Sequence, residues 1–289
     1  QTSIKMGCTS VLLAKWDPAE FIQLIENKSV TSAFLVPTQI SSVLTNPKFS
    51  RARVKNWRYC NYGGAPTSPA QLEIMLDKLP ELVWEDQYGQ SEAGNLTVRP
   101  KEFILSKAKS VGRPFQGLEM SIVDNHGNEL NQGERGEVVT KGVHTMLGYY
   151  NDPKQTSDAF TKNGWLKTGD IGYFDEDGFL FLVDRSKDMI ISGGENIYPT
   201  EIESVIYSHP AVFECAVFGI PDDEWGELPA AHVIRVANKS VSEQELIEYC
   251  LTKLARHKKP RFIKFVDSIP KTAIGKFQKN LIKTEYWID

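Results

Sequence analysis

Residues 190–203 read Ile190-Ile191-Ser192-Gly193-Gly194-Glu195-Asn196-Ile197-Tyr198-Pro199-Thr200-Glu201-Ile202-Glu203. Two apolar residues run into paired glycines, and a helix start follows, with Thr200 and Glu203 spaced as a T-x-x-E capping box. Because glycine has no Cβ and tolerates positive φ, Gly193 and Gly194 can bring backbone amides close to a narrow ligand. A strand, a turn and a capped helix without any ligand is the alternative that these residues alone leave open.

The composition is that of a soluble globular protein. Of the 289 residues, 41% are hydrophobic and 24% are charged. The length suits one large domain or two ordinary domains. The chain has 33 Lys and Arg against 37 Asp and Glu, and this balance argues against a nucleic-acid partner. The basic run near Arg256 to Lys264 is interpreted as a solvated helix end and loop.

No apolar run approaches the length of a membrane span, and no signal-peptide pattern is visible, so we expect no transmembrane segment and a cytoplasmic location. The four cysteines lack C-x-x-C spacing and lie in or beside apolar segments, which predicts reduced, mostly buried thiols. The five histidines are scattered without metal-ligand spacing, which argues against a transition-metal site built by the protein.

Before residue 110 the sequence predicts a parallel α/β layer. Ser10 to Ala14 has a buried-strand pattern, Asp17-Pro18 starts a helix, and Thr31 to Val36 has the pattern of the next strand. A second helix is predicted from about Pro69 to Leu79, and Glu81 to Trp84 returns to the sheet. This strand-helix-strand order is typical of parallel sheets.

From residue 111 the pattern changes to short strands with turns between them. Strands are predicted at Glu119 to Val123, Gly136 to Thr140, Ile171 to Phe174 and Phe179 to Val183, with Asp175 to Gly178 as a hairpin turn. This indicates an antiparallel small barrel or distorted sheet.

The last part of the chain predicts a compact α+β domain. A helix is expected at Glu201 to Ser208 and a strand at Val212 to Phe218. A second helix starts at Ser242, where Glu245 completes a capping box, and Phe262 to Val266 is a further strand.

Two loops of the first half have the chemistry of nucleotide recognition. In Gly63-Gly64-Ala65-Pro66, the small residues leave a flat slot for a purine. In Tyr88-Gly89-Gln90-Ser91-Glu92, Tyr88 offers an aromatic cover, Ser91 a hydroxyl for phosphate and Glu92 a carboxylate for Mg²⁺. Taken singly, a residue such as Tyr88 is more often a core aromatic than a base cover, and one such as Glu92 is more often a solvated or capping residue.

Later segments supply complementary groups. Asp170, in Thr168-Gly169-Asp170, can accept both hydroxyls of a ribose, and Arg185 can donate to them or to a phosphate. Pro270 to Lys276 places a lysine on a glycine-hinged loop. A turn-forming aspartate and an exposed lysine are the ordinary explanations of these residues.

The order and spacing of these motifs resemble the adenylate-forming (AMP-binding) superfamily of acyl-CoA synthetases, carrier-protein adenylation domains and beetle luciferases. Three runs carry the resemblance: Gly164 to Asp170, Asp184 to Ile197, and Pro270-Lys271-Thr272 with Gly275-Lys276. The similarity extends from about residue 9 to about residue 283.

The resemblance implies an α/β fold with two parts. Residues 1–184 would be the C-terminal portion of the large AMP-binding domain, with an α/β subdomain at 1–110 and a β-rich subdomain, including a small antiparallel barrel, at 111–184. Residues 185–289 would be the small mobile α+β C-terminal domain, hinged at Lys187. The implied activity is that of an acid–CoA ligase, which adenylates a fatty or aryl carboxylic acid with ATP and then transfers the acyl group to CoA.

The resemblance also implies roles for individual residues. The nucleotide, as ATP or AMP, would be bound by Gly64, Ala65, Pro66, Asp86, Gln87, Tyr88, Gly89, Gln90, Ser91, Asp170 and Arg185. The pantetheine of CoA would pass Ser192, Gly193 and Gly194. Catalytic roles fall to Lys276, Glu92 and Ser91, with Glu92 also holding Mg²⁺.

The chain departs from the family pattern at its upstream side. The Ser/Thr/Gly-rich phosphate loop that ends in lysine is not present in this sequence, and Lys279 stands where many members carry arginine. We therefore expect an N-terminal portion or a separate chain to complete the site. A carrier-protein-loading adenylation domain and a non-catalytic fragment of such an enzyme remain the alternatives.

Overall fold

The computed structural model describes residues 5–271 and 277–287. The chain divides into two compact units. The first unit runs to Thr168 and includes Tyr173–Leu182, and the second consists of Gly169–Gly172 and the chain from Val183 onward. Within the described ranges, no helix has the length and apolar character that crossing a membrane requires.

A five-stranded sheet opens the first unit. Its elements are α1 (Pro18–Lys28), β1 (Ser32–Leu35), α2 (Pro37–Leu44), β2 (Tyr59–Gly63), α3 (Pro69–Lys78), β3 (Val83–Gln90), β4 (Gly94–Arg99) and β5 (Arg113–Pro114). The strands follow the order β1-β2-β3-β4-β5. The first three are parallel, as predicted, and β4 and β5 continue the sheet in antiparallel fashion.

Helix α1 shows how local sequence builds this layer. The Asp17 carboxylate accepts the Glu20 amide at 2.8 Å, and proline occupies the first helical turn. This cap satisfies an amide that would otherwise have no partner within the helix. The apolar face of the helix then packs into a core that contains Trp57 and Trp84.

The strand predicted at Ser10 to Ala14 is wrong. These residues are irregular, and Leu12 is 88% exposed. An apolar run becomes a strand only where its N–H and C=O groups pair with a neighbouring strand. The sheet of the first unit instead begins at β1.

A four-stranded sheet follows, with order β6-β7-β8-β9. After a short 3₁₀ helix at Lys101–Phe103, its elements are β6 (Glu119–Val123), β7 (Gly136–Lys141), α4 (Pro153–Ala159), β8 (Leu166–Phe174) and β9 (Leu180–Arg185). The four predicted strands are thus present, three of them longer than expected. The predicted turn between β8 and β9 closes through the Gly178 amide, which donates to the Asp175 carbonyl at 2.9 Å.

The second unit contains a third sheet with order β11-β10-β13-β12, and β14 pairs with β13. Its elements are β10 (Ile190–Ser192), β11 (Glu195–Ile197), α5 (Pro199–Tyr207), β12 (Val212–Asp222), β13 (Gly226–Arg235), α6 (Glu243–Leu251), β14 (Phe262–Phe265) and α7 (Lys279–Lys283), with 3₁₀ helices at Ser186–Asp188 and Arg256–Lys258. The capping box predicted for Ser242 and Glu245 is confirmed at the start of α6.

The capping box predicted for Thr200 and Glu203 is wrong. Helix α5 begins at Pro199, whose fixed φ suits the first helical position, so Thr200 already lies inside the helix. The Thr200 amide donates to the Asp184 carboxylate at 3.0 Å, and the Thr200 hydroxyl donates to the Val183 carbonyl at 2.5 Å. A carboxylate distant in sequence therefore supplies the cap, and burial raises the pKa of Asp184.

Glu203 has a different task from capping. Its Oε1 accepts the Val217 amide at 2.8 Å and lies 2.8 Å from the Lys279 ammonium. The Lys279 and Glu203 side chains are only 10% and 14% exposed. One carboxylate oxygen thereby connects α5, β12 and α7.

We expect Lys279→Met to destabilise the second unit by about 3 kcal/mol, because it leaves the Glu203 charge buried without its cation. The loss in free energy of unfolding would be measured by urea denaturation, with hydrogen exchange of the β12 amides as the probe of the second unit. Lys264→Met is the matched control, since its pair with Glu285 is about half exposed on both sides. Equal stability of the two variants would contradict this assignment.

Candidate active site

The carboxyl ends of β2 and β3 bring two predicted segments together. Gly63 lies opposite Gln87 in the parallel register, so the Gly64 to Pro66 loop emerges beside the end of β3. A Cβ at Gly63 would collide with the Gln87 carbonyl oxygen, and Gly64 has a φ of +79°. Open α/β sheets bind ligands at this edge. Gly64, Ala65 and Pro66 are exposed there.

Asp86 has a structural partner. Its Oδ2 lies 2.5 Å from Nη2 of Arg99, which is 1% exposed. The Tyr62 hydroxyl lies 3.5 Å from the same nitrogen. Burial raises the pKa of Asp86, although Arg99 acts in the opposite direction. The Asp86 side chain is therefore engaged in holding β3 against β4.

Gln87 to Gln90 form the end of β3, although a loop was predicted from Tyr88 onward. The Asn95 side chain donates to Oε1 of Gln87 at 3.1 Å. The Tyr88 ring is half-buried and packs against apolar residues that include Leu96. Gly89 lies where a Cβ would collide with the Gly94 carbonyl oxygen, so the hairpin itself requires glycine at this position.

Ser91 and Glu92 occupy the turn between β3 and β4, with Ser91 exposed. The Tyr149 hydroxyl donates to Oε1 of Glu92 at 3.0 Å, and the Met146 amide donates to the Glu92 carbonyl at 2.6 Å. Burial and this hydrogen bond raise the pKa of Tyr149. Sequence reasoning missed Tyr149. The only local signal was its position between a glycine and the Asp152-Pro153 helix start.

Asp170 and Arg185 meet directly within the second unit. Nε of Arg185 lies 2.8 Å from Oδ1 of Asp170. The aspartate is buried whereas the arginine is about half exposed. These two residues, which the sequence assigned to one ribose, are thus adjacent, with the cation on the solvent side.

Ser192, Gly193 and Gly194 form the tip of the β10–β11 hairpin, where Gly193 and Gly194 have φ values of +59° and +83°. The Gly193 amide donates to the Trp225 carbonyl at 2.8 Å. A Cβ at Gly193 would lie 2.6 Å from the Trp225 ring, whereas a Cβ at Gly194 would meet nothing within 4 Å. The backbone at Gly194 is therefore the more open of the two.

The remaining assigned residues are two lysines. Lys187 is exposed in the 3₁₀ turn Ser186–Asp188. Lys276 lies outside the described residues. On either side of it in sequence, Lys271 and Phe277 form an isolated antiparallel bridge, and the Gln278 amide donates to the Pro270 carbonyl at 2.9 Å.

Comparison with known proteins gives consistent matches along the chain. The family model of the AMP-binding enzymes matches residues 2–150, and that of the AMP-binding enzyme C-terminal domain matches residues 201–276. The long-chain-fatty-acid–CoA ligase FadD13 of Mycobacterium tuberculosis is 40% identical over 98% of this chain and 56% of its own length. The 2-succinylbenzoate–CoA ligase of Bacillus pumilus is 40% identical over 99% of this chain and 57% of its own length.

A solved structure agrees with these matches. The o-succinylbenzoate CoA synthetase from Bacillus subtilis, in complex with the acyl-adenylate OSB-AMP, superimposes with a TM-score of 0.83 at 36% identity. The match covers 97% of this chain and 56% of that chain. The chain thus spans little more than half the length of the relatives it matches. The family-model matches and the identity over nearly the whole chain show that it belongs to the AMP-binding enzyme family.

Proposed function

We propose that this chain is the C-terminal part of an ATP-dependent acid–CoA ligase. In the first half-reaction, a substrate carboxylate attacks the α-phosphorus of ATP, so that an acyl-adenylate forms and pyrophosphate leaves. In the second, the thiol of CoA attacks the acyl carbon, the thiol proton is lost and AMP leaves. Both half-reactions are expected to use one site.

The observation that carries this proposal is the alignment of Gly63 with Gln87. It sets an exposed, glycine-containing loop beside the end of a parallel strand, where an adenine can lie against the backbone. In this family member we assign nucleotide binding to this edge, with Gly64, Ala65 and Pro66 on one side and Asp86 to Ser91 on the other. The Asp86 side chain is occupied by Arg99, so we assign it a contribution through the backbone.

We assign the ribose to Asp170 and Arg185. A buried carboxylate accepts two hydroxyl hydrogen bonds well, and Arg185 is exposed enough to move toward a phosphate or a hydroxyl. Lys276 is assigned to the reacting carboxylate and α-phosphate. The attack of one anion on another needs a cation where negative charge accumulates.

The donor chemistry at Glu92 fits Mg²⁺. This ion is commonly held by one or two carboxylates together with substrate phosphates, and Glu92 provides a carboxylate in the turn next to the nucleotide edge. Bound there, Mg²⁺ would neutralise phosphate charge. Ser91 is assigned a hydroxyl contact to a phosphate oxygen.

The acceptor thiol is assigned to CoA. FadD13 and the succinylbenzoate enzymes are named as CoA ligases or synthetases, which favours free CoA over a carrier protein. The open backbone at Gly194, with Ser192 and Gly193, is assigned to the pantetheine arm. We also propose that the small domain begins at residue 185 and rotates about a hinge at Lys187 between the two half-reactions.

The acid is proposed to be a fatty or aryl carboxylic acid, because the relatives are named for both kinds.

The four cysteines are free thiols, in keeping with the proposed cytoplasmic location. We propose that a segment outside this sequence supplies the phosphate loop and completes the site.

The function is tested with the full-length polypeptide that carries this sequence. A panel of fatty and aryl acids is assayed for pyrophosphate release, first without an acceptor and then with CoA or a phosphopantetheinyl carrier protein. We expect a CoA thioester, identified by mass spectrometry. Loading of the carrier alone would favour an adenylation domain. No acyl-adenylate with any acid would overturn the proposal.

Lys276→Ala should reduce the adenylation rate at least a hundredfold, because one charge-stabilising donor typically contributes about that factor. Thioester formation from supplied acyl-adenylate should stay near the wild-type rate. Lys283→Ala removes a lysine nearby in sequence and serves as the control. Equal loss of both half-reactions in Lys276→Ala would be incompatible with the assigned role.

Asp170→Asn should raise the KM for ATP about tenfold with a smaller effect on kcat, because an amide oxygen accepts hydrogen bonds from the ribose hydroxyls more weakly than a carboxylate does. A tenfold change corresponds to roughly 1.4 kcal/mol of binding free energy. Steady-state kinetics at saturating acid would measure the change. Asp177→Asn, at the β8–β9 hairpin, is the charge-matched control. A KM equal to that of the control would remove Asp170 from the ribose site.

A further inference from the structure

The segment from Met146 to Tyr149 holds Glu92 at two points. The Met146 amide donates to the Glu92 carbonyl at 2.6 Å, and the Tyr149 hydroxyl donates to the carboxylate Oε1 at 3.0 Å. The first contact fixes the backbone of the residue, and the second fixes the rotation of its side chain. Of the two carboxylate oxygens, the hydroxyl engages one and leaves the other for a ligand.

Tyr149 is itself fixed by the start of helix α4. Its amide donates to the Thr156 hydroxyl at 2.8 Å, and that hydroxyl donates to the Asp152 carbonyl at 2.7 Å. Asp152 also caps α4 by accepting the Gln155 amide at 2.8 Å. A continuous series of hydrogen bonds therefore leads from a capped helix to the Glu92 carboxylate.

The backbone before Tyr149 has little freedom to adjust. A Cβ at Gly148 would lie 2.7 Å from the Thr156 methyl carbon, so the chain passes closely over α4 at this point. Met146, two residues earlier, packs against the apolar cluster of Ala93, Leu96 and Leu166. The segment is thus anchored on both sides of the residue that contacts Glu92.

We propose that Tyr149 is a positioning residue that holds the Glu92 carboxylate in the orientation needed to meet Mg²⁺ on the nucleotide. The inference rests on the proposed function, in which Glu92 is the metal ligand. Tyr149 would contact neither the metal nor the substrate. Hydrogen-bonded partners of metal ligands typically contribute about ten- to a hundredfold to metal affinity.

The test compares Tyr149→Phe with Tyr150→Phe in the full-length polypeptide. The first removes one hydroxyl, and the second makes the same change at a neighbouring side chain that is 93% exposed. Calorimetry without acid measures ATP affinity with and without Mg²⁺. Stopped-flow pyrophosphate release with acid measures the Mg²⁺ concentration that gives half-maximal rate.

For Tyr149→Phe we expect about a tenfold increase in the Mg²⁺ concentration for half-maximal rate, with the rate recovered at saturating Mg²⁺. ATP affinity should fall only when Mg²⁺ is present. Tyr150→Phe should match the wild type in both measurements. In a Glu92→Gln background, Tyr149→Phe should add no further loss, because the carboxylate it positions is gone.

Two results would overturn the inference. Equal loss of ATP affinity with and without Mg²⁺ would mean that Tyr149 supports the fold rather than the metal ligand. Wild-type Mg²⁺ dependence in Tyr149→Phe, in an enzyme that adenylates an acid, would mean that Glu92 needs no positioning. If the wild type adenylates no acid at all, it is the proposed function that fails.

Discussion

The buried ion pair between Arg99 and Asp86 fixes the part of the first unit from which the candidate site extends. The two residues are register partners on β4 and β3, and Arg99 also donates to the Lys107 carbonyl at 2.7 Å. A slip of one residue between these strands would turn the guanidinium to the opposite face and leave Asp86 buried without its cation. The pair therefore stabilises one register of the hairpin, and that register determines where the turn with Glu92 lies.

The glycines of the candidate site fall into two groups. Gly63, Gly89 and Gly193 are required by close neighbours within the protein, since a Cβ at each would press on the backbone of Gln87, the backbone of Gly94 or the Trp225 ring. Gly64 and Gly194 share a positive φ with Gly193, but their surroundings are more open. The first group keeps strands and rings in contact, and the second leaves bare backbone that a ligand can approach. A glycine pair in a sequence does not distinguish these cases.

Local signals predicted much of the fold. Asp17, Ser242 with Glu245, and the Asp175 to Gly178 turn act through neighbours within four residues, so their geometry can be inferred from spacing. The errors arose where a distant residue decides the outcome. Thr200 has the spacing of a cap, but Pro199 starts the helix and Asp184 caps it. For the candidate site, the motifs predicted Glu92, Asp86 and Asp170 as ligand residues. Their spacing did not reveal Tyr149, which contacts Glu92 across 57 positions, or Arg99, which contacts Asp86 across 13.

The partners of the acidic residues indicate which of them are able to exchange a protein contact for a ligand. Asp86 pairs with a guanidinium that is almost fully buried. Opening this ion pair would leave a charge in the protein interior at a cost of several kcal/mol. The Asp86 carboxylate is therefore not available to replace Arg99 with a ligand. Asp170 meets an arginine that is about half exposed, and water can solvate the arginine when it moves away. Among the described residues, the Glu92 carboxylate meets a neutral hydroxyl, through Oε1. The exposure and the charge of the partner, rather than the type of acid, therefore separate the carboxylates suited to a ligand from the one that stabilises the fold.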